Sequence, residues 1–194
     1  METNFIGAVA VTQAMLPLLK KSKAARIVNL SSTLGSLWSN SDPASPYYSQ
    51  RLLGYNASKA ALNMLTAQLN AELRGTSIAV NSVSPGFVKT DLTGHRGFMT
   101  PAEGARLPVQ YALLEDGAVS GSSSGRTGKP RGDLEAPAGR YAGRPATMKN
   151  SSAEVLAPTF AIMRERWASI VRCEIPSRWP ICLLVSPSTI SIAI

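Results

Sequence analysis

The stretch YNASK at residues 55–59 begins the most regular helical pattern in the chain. Tyr55 and Lys59 are four residues apart, so on a helix their side chains lie on one face, about 5–6 Å apart at Cβ. A fixed ammonium group near a phenol favours the phenolate, which suits proton transfer near neutral pH. Most pairs with this spacing are only neighbours on a solvated helix surface, so the flanking sequence has to decide between the two interpretations.

Strand-like runs flank this helix on both sides. Residues 55–74 carry a wide apolar stripe and end before Gly75, a residue type that commonly terminates helices. RIVNLSS at 26–32 and IAVNSV at 78–83 are short runs rich in β-branched residues. A strand, a helix and a second strand with no hairpin signal between them predict a parallel βαβ unit.

Two further helices are predicted around this unit. Residues 4–20 are apolar at helical spacing, and Pro17 is expected to kink this helix or to begin its last turn. Residues 101–114 form the other helix, which begins with a capping box made by Thr100 and Glu103.

Two connections in this region are long: the one between the first strand and the central helix, and the one that follows the second strand. Residues 33–54 are rich in Ser, Pro and aromatic residues, and a loop of this length in a compact domain favours a binding segment. Residues 87–100 contain two glycines and His95, the single histidine of the chain, and are predicted to be a mobile loop.

The composition changes after Ser120. Gly, Ser, Pro and Arg dominate the next stretch without a hydrophobic period, which is typical of linkers and disordered segments. A marginal helix over 158–171 and a strand-like apolar run at 181–194 with no clear partner are expected beyond it. We therefore predict a domain at 1–120 and a poorly ordered basic tail at 121–194, of the kind that a shifted reading frame produces.

Composition favours a soluble, cytoplasmic protein. The 194 residues carry a net charge of +8, but the basic residues are scattered without interleaved aromatics, which argues against a nucleic-acid partner. The two cysteines, Cys173 and Cys182, cannot form a disulfide framework. Neither a secretory signal nor a membrane-spanning stretch is predicted, so we expect no membrane association.

The motifs around YNASK resemble those of the short-chain dehydrogenase/reductase family, in its carbonyl-reductase-like branch. This resemblance covers residues 1–119 and implies an α/β fold with a Rossmann-like, doubly wound parallel sheet. Five stretches match in order: TNFIG at 3–7, RIVNLSS at 26–32, YNASKAAL at 55–62, VNSVSPGFVKTD at 80–91 and TPAEGAR at 100–106.

The resemblance implies a catalytic tetrad for NAD(P)-dependent reduction of a carbonyl or oxidation of an alcohol. Tyr55 would be the proton donor in reduction and the base in oxidation. Lys59 would hold the phenol poised and grip the nicotinamide ribose. Ser32 would donate a hydrogen bond to the carbonyl oxygen, and Asn4 would anchor a water that links Lys59 to solvent.

The same resemblance implies which residues contact the cofactor, NADP or NAD. Tyr55 and Lys59 would be joined by Pro85 and Gly86, which would turn the chain under the nicotinamide. Val88 and Thr90 would contact the carboxamide and the phosphates. No metal site is predicted.

Each of these residues has a simpler structural interpretation. Asn4 could be a helix cap, Thr90 a plain loop residue, and the choice of Ser32 over Ser31 rests on the resemblance alone. Two asparagines in the strands, Asn29 and Asn81, are expected to tie loops to strands, and His95 is expected to be an ordinary loop residue.

Two departures from the family pattern affect the functional prediction. Nothing before Asn4 supplies the first strand or the glycine-rich, phosphate-binding turn, so the chain is expected to be an N-terminally truncated fragment. The 22-residue spacing from Ser32 to Tyr55 is long, which resembles an insertion that shapes the substrate pocket.

Two functions remain open at this stage. The first is an oxidoreductase acting on a small carbonyl or alcohol, with a homo-oligomer expected only if the full domain is present. The second is an inactive remnant of such an enzyme that cannot bind the cofactor by itself, because two strands are too few for an independently stable sheet.

Overall fold

The fold was examined in a computed structural model of the chain. It describes residues 1–117 and 119–124, and beyond them the backbone of the strand residues 130–131, 182–185 and 189–193. The helices are α1 (Ala8–Leu19), α2 (Leu37–Ser41), α3 (Leu53–Glu72) and α4 (Pro101–Ala112). The strands are β1 (Ala24–Leu30), β2 (Ile78–Val83), β3 (Ser123–Ser124), β4 (Pro130–Arg131), β5 (Cys182–Val185) and β6 (Thr189–Ala193).

The predicted βαβ unit is present as β1, α3 and β2. The two strands pair in parallel from Ala25 opposite Ile78 to Leu30 opposite Val83. Asn29 donates from Nδ2 to Thr66 Oγ1 at 2.9 Å, which ties β1 to α3. Ser82 Oγ donates to Asn63 Oδ1 at 2.9 Å and ties β2 to the same helix.

Helices cover both faces of the sheet, which confirms the α/β prediction. On one face, α1 and the C-terminal end of α3 bury a cluster that includes Ile27 and Val80. On the other face, α4 buries Val28, Val83 and Tyr111. Burial of apolar surface on both faces is what a parallel sheet requires.

Most predicted helix boundaries shift by only one or two residues. A π-helical segment, Glu2–Gly7, precedes α1, and Pro17 lies in the last turn of that helix. Thr100 and Glu103 form the predicted capping box at the start of α4, where Thr100 N donates to Glu103 Oε2 at 2.7 Å. No helix in the described part of the chain is long and apolar enough to cross a bilayer.

The prediction of an unbroken loop at 33–54 was wrong. This segment contains a short 3-10 turn, Thr33–Gly35, followed by α2, whose N-cap is Ser36. The Ser36 side chain accepts a hydrogen bond from Ser39 N at 3.2 Å, so a serine that suggested a loop in the sequence begins a helix.

The sheet has six strands in the order β4-β3-β2-β1-β6-β5. The described structure extends past Ser120 into the predicted tail, because Ser123 and Ser124 pair in parallel with the end of β2. Ser120 Oγ also accepts from Val80 N at 2.9 Å, and Gly121 N donates to Val80 O at 2.7 Å. Backbone pairing at this edge needs no hydrophobic period, which is why the composition gave no sign of it.

The apolar run near residue 190 has a partner, contrary to the sequence prediction. β6 pairs in parallel with β1, from Ala24 opposite Thr189 to Val28 opposite Ala193, and β5 pairs antiparallel with β6. The expected helix at 158–171 and most of the expected tail lie outside the described residues.

Candidate active site

Tyr55 and Lys59 face each other on α3, as their spacing predicts. The Lys59 Nζ atom lies 5.8 Å from the centroid of the Tyr55 ring. Tyr55 is 38% exposed, and its hydroxyl makes no hydrogen bond to another described residue. The phenol is therefore free to contact a molecule bound at this surface.

Lys59 is anchored at the carboxyl end of β1. Its Nζ donates to Leu30 O at 2.7 Å, which holds the ammonium group between the strand end and Tyr55. Burial lowers the pKa of Lys59, because the charged form loses hydration when the side chain is covered. A buried ammonium group strongly stabilises a nearby developing negative charge.

The structure separates the two candidate serines that follow β1. Ser31 is buried, and its Oγ lies 3.4 Å from Lys59 O. Ser32 is partly exposed, and its Oγ accepts from Leu34 N at 3.2 Å, which leaves its own proton available to donate. Ser32 is therefore the serine that could reach a bound carbonyl oxygen.

Gly35 lets the turn after Ser32 lie directly against α3. A Cβ at Gly35 would be 2.7 Å from the carbonyl carbon of Lys59 and 2.9 Å from Ala60 N. Only a residue without a side chain fits this gap, so Gly35 fixes the distance between the serine turn and the lysine. Gly35 could not be identified from the sequence, because Lys59, the residue that it contacts, lies 24 residues further along the chain.

Asn4 reaches α3 through Ser58. Asn4 Nδ2 donates to Ser58 Oγ at 3.0 Å, and Ser58 Oγ donates to Tyr55 O at 2.7 Å. Asn4 lies inside the π-helical segment, whose N-cap is Met1, so the alternative of a helix cap is wrong. The buried Ser58 was not singled out in the sequence, although it lies within YNASK.

Pro85 and Gly86 lie at the carboxyl end of β2, next to the end of β1. The two strand ends are joined by Ser84, whose Oγ accepts from Thr33 N at 3.1 Å. Gly86 has a φ of 96°, and a Cβ there would be 2.6 Å from Met99 Sδ. The backbone conformation at this position therefore favours glycine, whereas the flexible Met99 side chain could move aside for a Cβ.

Val88 and Thr90 lie in the following loop, which is folded on itself. Val88 pairs with Met99, and Lys89 N donates to Met99 O at 2.8 Å. Thr90 N donates to Thr93 Oγ1 at 3.1 Å at the start of a 3-10 turn, Asp91–Thr93. These hydrogen bonds are internal to the loop, and among the described residues none of them joins Val88 or Thr90 to Tyr55 or Lys59.

The residues expected to be structural are structural, with one difference. Asn81 ties β2 to the loop that follows α4, because its Nδ2 donates to Val119 O at 2.9 Å. Asn29 instead ties its strand to α3 through Thr66. His95 is exposed and lies 3.0 Å from Asp91 Oδ1 within its own loop.

The described residues fit one end of a dinucleotide cofactor. The strand ends at Leu30 and Val83 are bridged side by side, the Lys59 ammonium group lies beside them, and the glycine turn at Gly86 leaves the backbone open to a flat ring. Among these residues no helix begins at a glycine-rich turn of the kind that holds a pyrophosphate. The fit is therefore to the nicotinamide and ribose end.

Comparisons with known proteins agree with this geometry. The family model for short chain dehydrogenase matches residues 1–98. The (-)-isopiperitenone reductase of Mentha piperita is 33% identical over 152 residues, which are 61% of this chain and 48% of that protein. The chain thus spans about half the length of the curated relatives that it matches.

Solved structures give the same result. The carbonyl reductase Sniffer of D. melanogaster matches with a TM-score of 0.54 and 29% identity, covering 66% of this chain and 54% of that one. The NADPH-bound carbonyl reductase from chicken fatty liver matches with a TM-score of 0.53, also at 29% identity and with the same two coverages. From its motifs, its fold and these similarities, the chain belongs to the short-chain dehydrogenase/reductase family and is similar to carbonyl reductases within it.

Proposed function

We propose that this chain provides the proton-transfer part of an oxidoreductase site that reduces a small carbonyl compound, or oxidises the corresponding alcohol, with NADP or alternatively NAD. One observation carries the proposal. The exposed Tyr55 phenol, free of hydrogen bonds to described residues, stands beside the Lys59 ammonium group at the carboxyl end of β1. In parallel α/β sheets, ligands bind at that end of the strands.

Each residue of the site has a role that its position supports. Tyr55 donates a proton to the carbonyl oxygen in reduction, and Lys59 lowers the cost of the phenolate that remains. Ser32 donates a hydrogen bond to the same oxygen as negative charge develops. Asn4, which donates to Ser58, would anchor a water that links Lys59 to solvent.

The cofactor's contribution is hydride transfer, which a nicotinamide ring supplies when it is bound. Pro85 and Gly86 would support the ring from the end of β2, and Lys59 would bind the ribose. Val88 and Thr90 would contact the carboxamide and the phosphates. The NADPH named for the chicken carbonyl reductase favours NADP over NAD.

The cellular location, the kind of partner and the oligomeric state remain predictions. We expect a cytoplasmic location, a small-molecule partner, and association through the faces of α1 and α3 only within a full-length domain. The alternative function, an inactive remnant that cannot bind cofactor by itself, is supported by the absence of a pyrophosphate-binding turn from the described residues.

Cofactor binding decides between the active site and the remnant. We expect NADPH fluorescence to rise on titration with the purified chain, with NADH as the comparison. A Lys59→Met variant should weaken binding, because it removes the ammonium group proposed to bind the ribose. Absence of binding at millimolar NADPH would establish the remnant for this chain.

Turnover tests the role of Tyr55. Tyr55→Phe should lower kcat by roughly 10²–10⁴-fold, the range that general acid catalysis contributes, while leaving the circular dichroism spectrum unchanged. Tyr48→Phe is a matched control, because Tyr48 is similarly exposed and its ring contacts Arg51 rather than Lys59. Equal activity in the Tyr55→Phe variant would refute the proposed role.

A further inference from the structure

Two asparagines join the long segment after β1 to the start of the catalytic helix. Asn56 Nδ2 donates to Asn40 Oδ1 at 2.8 Å and to Gln50 O at 2.9 Å. Asn56 directly follows Tyr55, and Asn40 lies in α2, 16 residues earlier in the chain. One amide group therefore holds both the beginning and the end of the 33–54 segment.

Asn40 extends this connection to the serine turn. Its Nδ2 donates to Leu34 O at 2.8 Å and to Ser36 O at 2.7 Å. Leu34 N in turn donates to the Oγ of Ser32. A continuous set of hydrogen bonds thus runs from the serine proposed to bind the carbonyl oxygen to the first turn of α3.

The segment held in this way presents apolar side chains to solvent. Leu37 is 78% exposed and Trp38 is 56% exposed, and both lie in α2. Leu52 and Leu53, immediately before Tyr55, are 54% and 83% exposed. Several large apolar groups exposed in one segment that leads to a polar site are typical of a surface that binds an apolar ligand.

We propose that Asn40 and Asn56 are positioning residues that clamp α2 against the start of α3, so that Leu37 and Trp38 form a fixed apolar wall beside Tyr55. This inference rests on the proposed function and extends it to the substrate class. The wall selects carbonyl compounds with a bulky apolar body, because such a body can bury apolar surface against Leu37 and Trp38.

The donor role of the Asn56 amide gives a sharp test. Asn56→Asp keeps the size of the side chain but removes both donors and places a carboxylate against two acceptors, Asn40 Oδ1 and Gln50 O. Asn63→Asp is the matched control on the same helix, because Asn63 uses its Oδ1 to accept from Ser82, and a carboxylate accepts equally well.

The first measurement needs no cofactor. With Trp167 and Trp179 replaced by Phe, emission anisotropy reports on Trp38 alone, and hydrogen exchange reports on the amides of residues 34–42. Asn56→Asp should lower the anisotropy and speed exchange of these amides about tenfold or more, whereas Asn63→Asp should change neither. Unchanged anisotropy and exchange in Asn56→Asp would overturn the clamp.

A second variant covers the case in which Asn56→Asp fails to fold. Asn40→Ala breaks the clamp from the α2 side and leaves the α3 sequence intact. It should also free Trp38 while the amides of β1 and β2 keep their protection. An immobile Trp38 in this variant would equally overturn the clamp.

The second measurement tests the wall. With NADPH as cofactor, Asn40→Ala should raise the KM for a bicyclic ketone about tenfold more than the KM for a small aliphatic ketone. Equal changes for both ketones would refute the substrate class while the clamp could still stand. Failure of the proposed function would show itself differently, as no NADPH binding by the unaltered chain.

Discussion

At the residue scale, the approach of the serine turn to α3 depends on Gly35. Its missing Cβ leaves room for the backbone of Lys59 and Ala60, which would otherwise lie within 3 Å. Backbone atoms cannot move aside as a flexible side chain can, so a larger residue has to separate the turn from the helix. The relative positions of Ser32 and Lys59 therefore depend on Gly35, whose N–H also donates to Ser32 O at 2.9 Å.

Gly35→Ala should destabilise the protein by roughly 1–3 kcal/mol, the usual cost of overpacking a closely packed contact. Gly54→Ala is the control, because a Cβ at Gly54 meets nothing within 4 Å and alanine favours the helix at that position by up to about 1 kcal/mol. Urea denaturation of the two variants checks both values. A Gly35→Ala variant as stable as the Gly54→Ala variant would contradict this close contact.

The lowered pKa of Lys59 predicts a pH dependence of stability. The folded chain releases the Lys59 proton at a lower pH than the unfolded chain, because burial disfavours the charged form. In the window between the lowered pKa and the ordinary value, the unfolded state binds more protons, so the free energy of unfolding rises with pH. Below that window the charged, buried lysine costs stability at a constant level.

Lys59→Met removes this dependence and isolates it from other groups. The difference in unfolding free energy, wild type minus variant, should increase over the pH range that leads up to the ordinary lysine pKa of about 10.4. Urea titrations at several pH values give this difference directly. A difference that stays flat over that range would show that burial does not shift the Lys59 pKa.

Sequence reasoning worked at the residue scale where chemistry follows a local motif. Tyr55 and Lys59 were found because helical spacing alone puts them on one face. Gly35 and Asn40 were missed because each acts on a helix that only the folded chain brings near. Neither residue type carries a local signal for that contact.

At the element scale, the segment after α4 is held by a buried arginine on β1. Arg26 donates from Nε and from one terminal guanidinium nitrogen to Leu114 O, at 3.0 and 2.8 Å. The same nitrogen contacts Asp116 Oδ1 at 3.0 Å. The Arg26 side chain is only 3% exposed, whereas that of Asp116 is 74% exposed. The two partners should therefore contribute very differently to stability.

Arg26→Met should cost roughly 1–3 kcal/mol, because it keeps the apolar stem but leaves the Leu114 carbonyl without its donor. Asp116→Asn should cost less than about 1 kcal/mol, since an exposed partner gains little from an ion pair. Thermal or urea denaturation of both variants measures the asymmetry. Equal costs would mean that the ion pair, and not the carbonyl contact, anchors this segment.

The boundaries of helices and strands could be predicted from the sequence wherever neighbouring residues determine them. The strand at 78–83 and the capping box at Thr100 were predicted as they are observed. α2 was missed because its five residues carry too short a pattern for helical periodicity to show. β3 was missed because its two serines pair through backbone hydrogen bonds, which amino-acid composition does not reveal.

At the scale of the whole molecule, both edges of the βαβ unit are covered by later parts of the chain. β3 pairs with β2, and β6 pairs with β1. An uncovered strand edge offers free N–H and C=O groups to other molecules and promotes aggregation. From the sequence we expected a sheet limited to β1 and β2. Pairing between strands so far apart in the chain produces no recognisable pattern in either strand.

Two adjacent proline substitutions in β6 test whether this strand protects the edge of β1. In a strand, successive N–H groups point to opposite edges, so one of the prolines in Ser191→Pro/Ile192→Pro removes a donor toward β1. We expect faster hydrogen exchange in β1 and concentration-dependent self-association by light scattering. Ser191→Thr/Ile192→Val, with good strand formers, is the control. Unaltered β1 protection in the proline variant would contradict the pairing.

The pairing of β1 with β6 also determines when the second edge of β1 is covered during synthesis on the ribosome. β1 can find β2 soon after residue 83 emerges, but its other edge has to wait for residues 189–193. At typical synthesis rates of about 5–20 residues per second, that delay is on the order of 5–20 s. During this interval a nascent chain displays a bare, apolar strand edge, which makes it a client for chaperones that shield such edges until residues 189–193 emerge.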